Sequence, residues 1–352
     1  MAAPADDSFT MPAEWTPHDR CWMAWPCREA LWGEHLDAAR EATAEVARAI
    51  AAFEPVTMIA NPESVAEVSL RCGGGVACLP MAHDDSWIRD NGPTFVVDGL
   101  GGVAGIDWRF NAWGGRYQAY DKDAAVARAV LEHLELPRHA APLVLEGGAI
   151  HVDGEGSCLT TERCLLDPNR NPEPDKAAIE ALLGTYLGVR RVIWLGEGLR
   201  GDDSGGHVDN VACFVRPGVV LALAADDPED ENHAALADNL ARLRAARDAK
   251  GRELEVIEVA QPGPAEGDDG RRLALSYVNF YLANGAVILP SFEDSKDKAA
   301  YETLAACFPG RELRQVPALD ILRGGGGIHS ITLQQPSAAG DESEAESEAS
   351  PD

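Results

Sequence analysis

Four stretches of the 352-residue chain gather side chains that could act together on a substrate. The first, His83-Asp84-Asp85-Ser86-Trp87-Ile88-Arg89-Asp90-Asn91-Gly92-Pro93, sets carboxylates on either side of a tryptophan. Carboxylates and an aromatic face both attract positive charge, so a cationic ligand suits the stretch; a solvated turn entering a strand is the plainer reading. The second, Leu145-Glu146-Gly147-Gly148, ends an apolar run on an acid, which must be paired or functional if the run is buried. The third, Gly201-Asp202-Asp203-Ser204-Gly205-Gly206-His207-Val208-Asp209-Asn210, puts His207 and Asp209 on one face of an extended segment. A histidine beside a carboxylate can be a general acid/base or half of a metal pair. That signal is weak alone, because His151-x-Asp153 repeats it. The fourth, Arg323-Gly324-Gly325-Gly326-Gly327-Ile328-His329-Ser330-Ile331-Thr332, places four glycines before a strand-like run. Glycines let backbone approach a ligand closely, as a flexible turn would also require. The run lacks the lysine and helix start of a phosphate loop, so a nucleotide fits it poorly.

Each stretch opens a similar module. After Asp90-Asn-Gly-Pro comes TFVVDGLGGVAGIDW, and after Glu146-Gly-Gly comes AIHVDGEGSCLTT. His207 to Asn210 leads into VACFVRPGVVLALA, Asn279 into FYLANGAVILP, and Gly324 to Ser330 into ITLQQP, a last and shortened copy. β-Branched and aromatic residues flanking a central glycine read as strand–turn–strand. Between them lie alanine-rich stretches with leucine or isoleucine at helical spacing: Leu36 to Phe53, Asp123 to Leu134, Asp175 to Leu187, Asn232 to Lys250 and Lys296 to Cys307. Five β-rich units alternating with five helices predict an α/β fold whose ring or barrel closes the sheet edges. The polar openings would then converge on one centre.

Composition narrows the partner. Thirty basic against 58 acidic residues give a formal charge of −28, which repels nucleic acid and anionic membranes and draws cations. No run of 18 apolar residues exists, so no membrane span is expected. The start, MAAPADDSFTMP, lacks a basic and an apolar region, so no secretory signal is expected. Eight scattered cysteines without a CxxC pair then read as reduced thiols in a cytoplasmic protein. Residues 1–10 are expected to be a flexible start, 11–336 a single catalytic domain, and 337–352 an acidic disordered tail.

Taken in order, MPAEWTPHDRCWMAWP, WIRDNGPTF, LEGGAIHVDGEGSCLTT, GDDSGGHVDN, YVNFYLANGAVILP and GGGGIHSITLQQP resemble the agmatine deiminases, from about Met11 to Pro336. The resemblance implies the pentein fold, a five-bladed α/β propeller with pseudo-fivefold symmetry. It also implies hydrolysis of a small cationic guanidine, agmatine, to N-carbamoylputrescine and ammonia, within putrescine and polyamine biosynthesis. It implies no cofactor and no metal, and a homodimer or homotetramer. Residue by residue, it assigns the guanidinium clamp to Asp90 and Asp209, with Asn279 nearby. His207 becomes the general acid/base, Glu146 its orienting partner, and Trp87 part of the substrate channel. The family's nucleophile is a cysteine; this chain has Ser330 there, and Gly327 where asparagine is usual. The serine is either a replacement of the kind made to trap substrate complexes or the mark of a guanidine binder without turnover. A deiminase of arginine or peptidyl-arginine is the runner-up, with Arg89, Arg109 or Arg116 available for a carboxylate. A two-metal ureohydrolase needs Asp-x-His-x-Asp runs, and Ala82-His83-Asp84-Asp85 is not one.

Overall fold

The computed structural model describes residues 4–338. Four consecutive units share one connectivity: a hairpin, a helix, and a third strand returning parallel to the second. In the first, Thr94–Val97 pairs antiparallel with Val103–Arg109, the helix Val126–His133 crosses over, and Arg138–Val144 adds in parallel. His151–Val152, Ser157–Thr161 and Arg191–Leu195 form the second around the helix Lys176–Leu187. Ala212–Arg216, Val219–Ala224 and Glu255–Ala260 form the third around His233–Ala245. Tyr281–Ala283, Ala286–Ser291 and Glu312–Pro317 form the fourth around Asp297–Cys307.

The fifth sheet corrects the reading of a shortened last copy. Thr332–Pro336 is half of a hairpin whose other half is the amino-terminal strand His18–Ala24. That strand pairs in parallel with Val56–Ala60 across the helix Leu36–Ala51, and Val76–Pro80 follows after the helix Val65–Cys72. The chain's two ends thus complete one unit between them.

Local sequence explains these elements. Val219–Ala224 is buried along its whole length because it lies between two neighbours in its sheet. Leu36–Ala51 buries Ala39, Thr43, Val46, Ala47 and Ile50, an apolar stripe at helical spacing. Lys176–Leu187 is capped by the Asp175 carboxylate, which accepts from the Ala178 N–H at 2.9 Å, and it ends on left-handed Gly188. Residues 4–10, expected to be a flexible start, carry a short helical turn, and Thr10 bridges to Val97. The acidic run from Asp341 to Asp352 lies outside the described residues.

Candidate functional site

The hairpins of the first three units are each preceded by a single helical turn: Ile88–Asn91, Gly147–Ala149 and Val208–Asn210. These turns carry Asp90, the backbone beside Glu146, and Asp209. They meet above Gly148. A methyl group on Gly148 would lie 2.6 Å from His207 Nδ1, 2.8 Å from Asp209 Oδ2 and 3.0 Å from Asp90 Oδ1, so only glycine leaves these groups room to converge. Asp90, His207, Trp87 and Ser330 line a pocket with Trp113, Tyr117, Asp203, Ser204, Asn210 and Gly324 to Gly326.

Asp90 and Asp209, which the family resemblance assigns to a guanidinium clamp, are held differently. Asp90 accepts from the Gly148 N–H at 3.1 Å and from the Trp113 indole at 2.9 Å. Ala112 and Trp113 both adopt left-handed backbone (φ 55° and 56°), a strained turn that aims this indole. Asp209 Oδ2 sits 2.9 Å from His329 Nδ1, while its buried Oδ1 has no hydrogen-bond partner. His329 Nε2 in turn lies 2.9 Å from Glu14 Oε1, and Glu14 also faces Arg89 and His151.

His207 stands between acids, with Nδ1 3.7 Å from Asp90 Oδ1 and Nε2 3.5 Å from Glu146 Oε2. Asp202 shapes its loop, accepting from the Gly206 and His207 N–H groups at 3.0 and 3.1 Å. Glu146 is fully buried and takes the Arg170 Nε–H on both oxygens, at 2.9 and 3.1 Å. Ser330 Oγ accepts from the Gly327 N–H at 3.1 Å.

These contacts set the charges. Burial pushes Asp90 up to about 6; His207 opposes this, and the Asp209 and Glu146 charges add to it. Burial works against a charged His207, yet Asp90, Cys164 and Glu146 carry it well above the usual imidazole value. Burial would raise Glu146, but Arg170 and then His207 bring it below the usual carboxylate range. The arrangement presents acids around a cavity and keeps a protonated imidazole among them.

Asn279 is placed one step back. Its Oδ1 accepts from the His329 N–H at 2.9 Å and its Nδ2 donates to Asn210 Oδ1 at 3.0 Å. A side chain at Gly327 would strike that Oδ1 at 2.3 Å, so glycine suits the position beside this asparagine. Of the three arginines considered for a carboxylate, Arg89 is buried against Gln334 and Glu14, and Arg109 is exposed. Only Arg116 reaches the cavity wall, in an ion pair with Asp203. Arg170, Glu14, Cys164 and Trp113 lay outside the stretches singled out in the sequence as parts of the site, and His329 lay inside the glycine-rich stretch without a role of its own. Their partners are distant in sequence, so no spacing announced them; the only local hint was a buried acid, Glu146, in need of a counter-charge.

Comparison with known proteins follows this geometry. The family model of Porphyromonas-type peptidyl-arginine deiminase matches residues 10–336. The agmatine deiminase of Pseudomonas aeruginosa (strain LESB58) is 46% identical over 358 residues, covering 95% of this chain and 97% of its own length. The structure of Enterococcus faecalis agmatine deiminase superposes with a TM-score of 0.93 at 36% identity, covering 96% of this chain and 99% of that one. A cysteine-to-serine form of C. jejuni agmatine deiminase with substrate bound gives 0.86 at 28% identity, covering 93% and 96%. The mixed α/β fold is theirs, and the chain belongs to the Porphyromonas-type peptidyl-arginine deiminase family, in which its near relatives are agmatine deiminases.

Proposed function

We propose that this chain binds agmatine with the guanidinium between Asp90 and Asp209, and that it releases little ammonia because position 330 is serine. The observation that carries this reading is the buried, unpartnered Asp209 Oδ1 beside a second carboxylate whose own ionisation is disfavoured by burial and by the neighbouring acids. A guanidinium satisfies both: it donates paired N–H bonds to the carboxylates and brings the missing positive charge. Trp87, stacked on Trp32 with ring centroids 5.7 Å apart, and Trp113 give the ligand an aromatic wall. The substrate's primary ammonium extends toward Asp203.

In the complete reaction a thiolate at position 330 attacks the guanidinium carbon. His207 gives its proton to the departing ammonia, leaving an amidino-thioether. Water then adds to that carbon as His207 takes its proton, and the thiol leaves to give the ureido product. Glu146, anchored by Arg170, keeps the imidazole placed. A serine hydroxyl ionises far less readily than a thiol near ~8.5, so it holds the position without the reactivity. The bound-substrate form of the C. jejuni relative carries the same replacement.

The five sheets with shared connectivity support a five-bladed propeller made by one domain, 11–336, with the site on its axis. The family resemblance implies an enzyme of polyamine metabolism assembled as a dimer or tetramer, and the scattered cysteines agree with a cytoplasmic setting. Calorimetry tests the binding claim: agmatine should bind in a single-site isotherm, and putrescine, which lacks the guanidinium, should bind at least tenfold more weakly. Equal affinities would sink it.

A further inference from the structure

The geometry points to a soft divalent cation site, of the kind that holds Zn²⁺, formed by Glu146, Cys164 and His207 behind the guanidine cavity, where the ion would inhibit by engaging His207. One donor atom from each of these residues lies within 4.8 Å of the others, and all three residues are buried. His207 Nε2 is 3.5 Å from Glu146 Oε2, and Cys164 Sγ is 3.9 Å from the same oxygen. Tetrahedral zinc with bonds of about 2.0–2.3 Å separates its nitrogen, oxygen and sulfur ligands by roughly 3.3–3.7 Å, so small side-chain shifts suffice. Independently, His207 Nε2 is buried without any hydrogen-bond partner, on the side of the ring facing Glu146 and away from Asp90.

The surroundings suit such a ligand set. His207 Nδ1 faces the Asp90 carboxylate, and a metal-bound imidazole ordinarily turns its other N–H toward a carboxylate. Arg170 steadies Glu146 through Nε and leaves each oxygen a further lone pair. A mixed sulfur, nitrogen and oxygen set favours zinc over magnesium or calcium. On binding, the Cys164 thiol and the protonated His207 ring each give up a proton to solvent. Because binding releases protons, affinity must climb with pH. The charged groups facing the cluster are Asp90 and Asp209 from the clamp turns and Arg170 with Asp167 from the loop after Cys164. The two protons released balance the ion's charge, so the inhibition comes from His207: held on the metal and without its proton, it has none to give to the departing ammonia.

Titration of the metal-free chain with Co²⁺ alone, followed by absorption, reads the site without using the guanidine reaction. One equivalent should produce a thiolate-to-cobalt charge-transfer band, displaced by Zn²⁺. Cys164→Ser should abolish the band, and Cys27→Ser, which removes a more accessible thiol, should leave it. Apparent Zn²⁺ affinity should rise at least about tenfold per pH unit between about pH 6 and 8. If Cys164→Ser misfolds by circular dichroism, Glu146→Gln replaces it and should weaken Co²⁺ at least tenfold. A band that survives Cys164→Ser, no band at one equivalent, or affinity independent of pH overturns the proposal. Agmatine calorimetry in metal-free buffer stands or falls separately, so failure here does not touch the clamp.

Discussion

At the scale of single residues, Asp90 and Asp209 have separable signatures. Asp90 titrates near about 6 in the free site and must be ionised to take a guanidinium. Agmatine affinity should therefore be flat above about pH 7 and fall roughly tenfold by about pH 5, because the proton taken up below the pKa must be released again on binding. Asp90→Asn should weaken binding and flatten this dependence; an affinity that rises toward acid would contradict the assignment. Asp209→Ala removes one side of a buried, charge-assisted clamp, a loss of about 2–5 kcal/mol that should take agmatine binding below detection by calorimetry. The motifs made both acids legible, since each sits in a polar turn just before an apolar strand. Glu14 and His329 were not legible as a pair, being 315 residues apart and joined only by folding.

At the scale of elements, one glycine decides whether the clamp closes. Gly148→Ala would place carbon 2.6 Å from His207 Nδ1 and 2.8 Å from Asp209 Oδ2, closer than such contacts occur. The variant should keep its circular dichroism spectrum yet bind agmatine at least about tenfold more weakly, and unchanged binding would show that the three turns do not converge there. The hairpins could be read from sequence because inner strands such as Val219–Ala224 are wholly apolar. The third strands could not. Glu255–Ala260 and Glu312–Pro317 lie on sheet edges with most residues partly exposed, and neither EVIEVA nor ELRQVP keeps an apolar–polar alternation. Val76–Pro80 is likewise an edge strand, with most of its residues partly exposed.

At the scale of the whole molecule, the split fifth unit makes the termini interdependent. Ending the chain after Ile331 deletes Thr332–Pro336, a fully buried strand paired with His18–Ala24. The loss of several kcal/mol should lower the thermal midpoint by at least about 10 °C, at roughly 2–4 °C per kcal/mol for a large domain. Deleting 339–352 should leave the midpoint unchanged. Sequence alone pointed to five repeats and a closed ring but not to the pairing of the chain's two ends in one unit, because neither half of the divided hairpin resembles a hairpin on its own. On the proposed reading, these units together bring Ser330, as the nucleophile position, against a clamped guanidinium and His207. Replacing Ser330 with cysteine and assaying ammonia release from agmatine in the presence of a chelator tests that claim most directly. The account predicts turnover from a nearly silent background, with N-carbamoylputrescine as the second product and no urea; a Ser330→Cys protein that binds agmatine tightly and still releases no ammonia would contradict it.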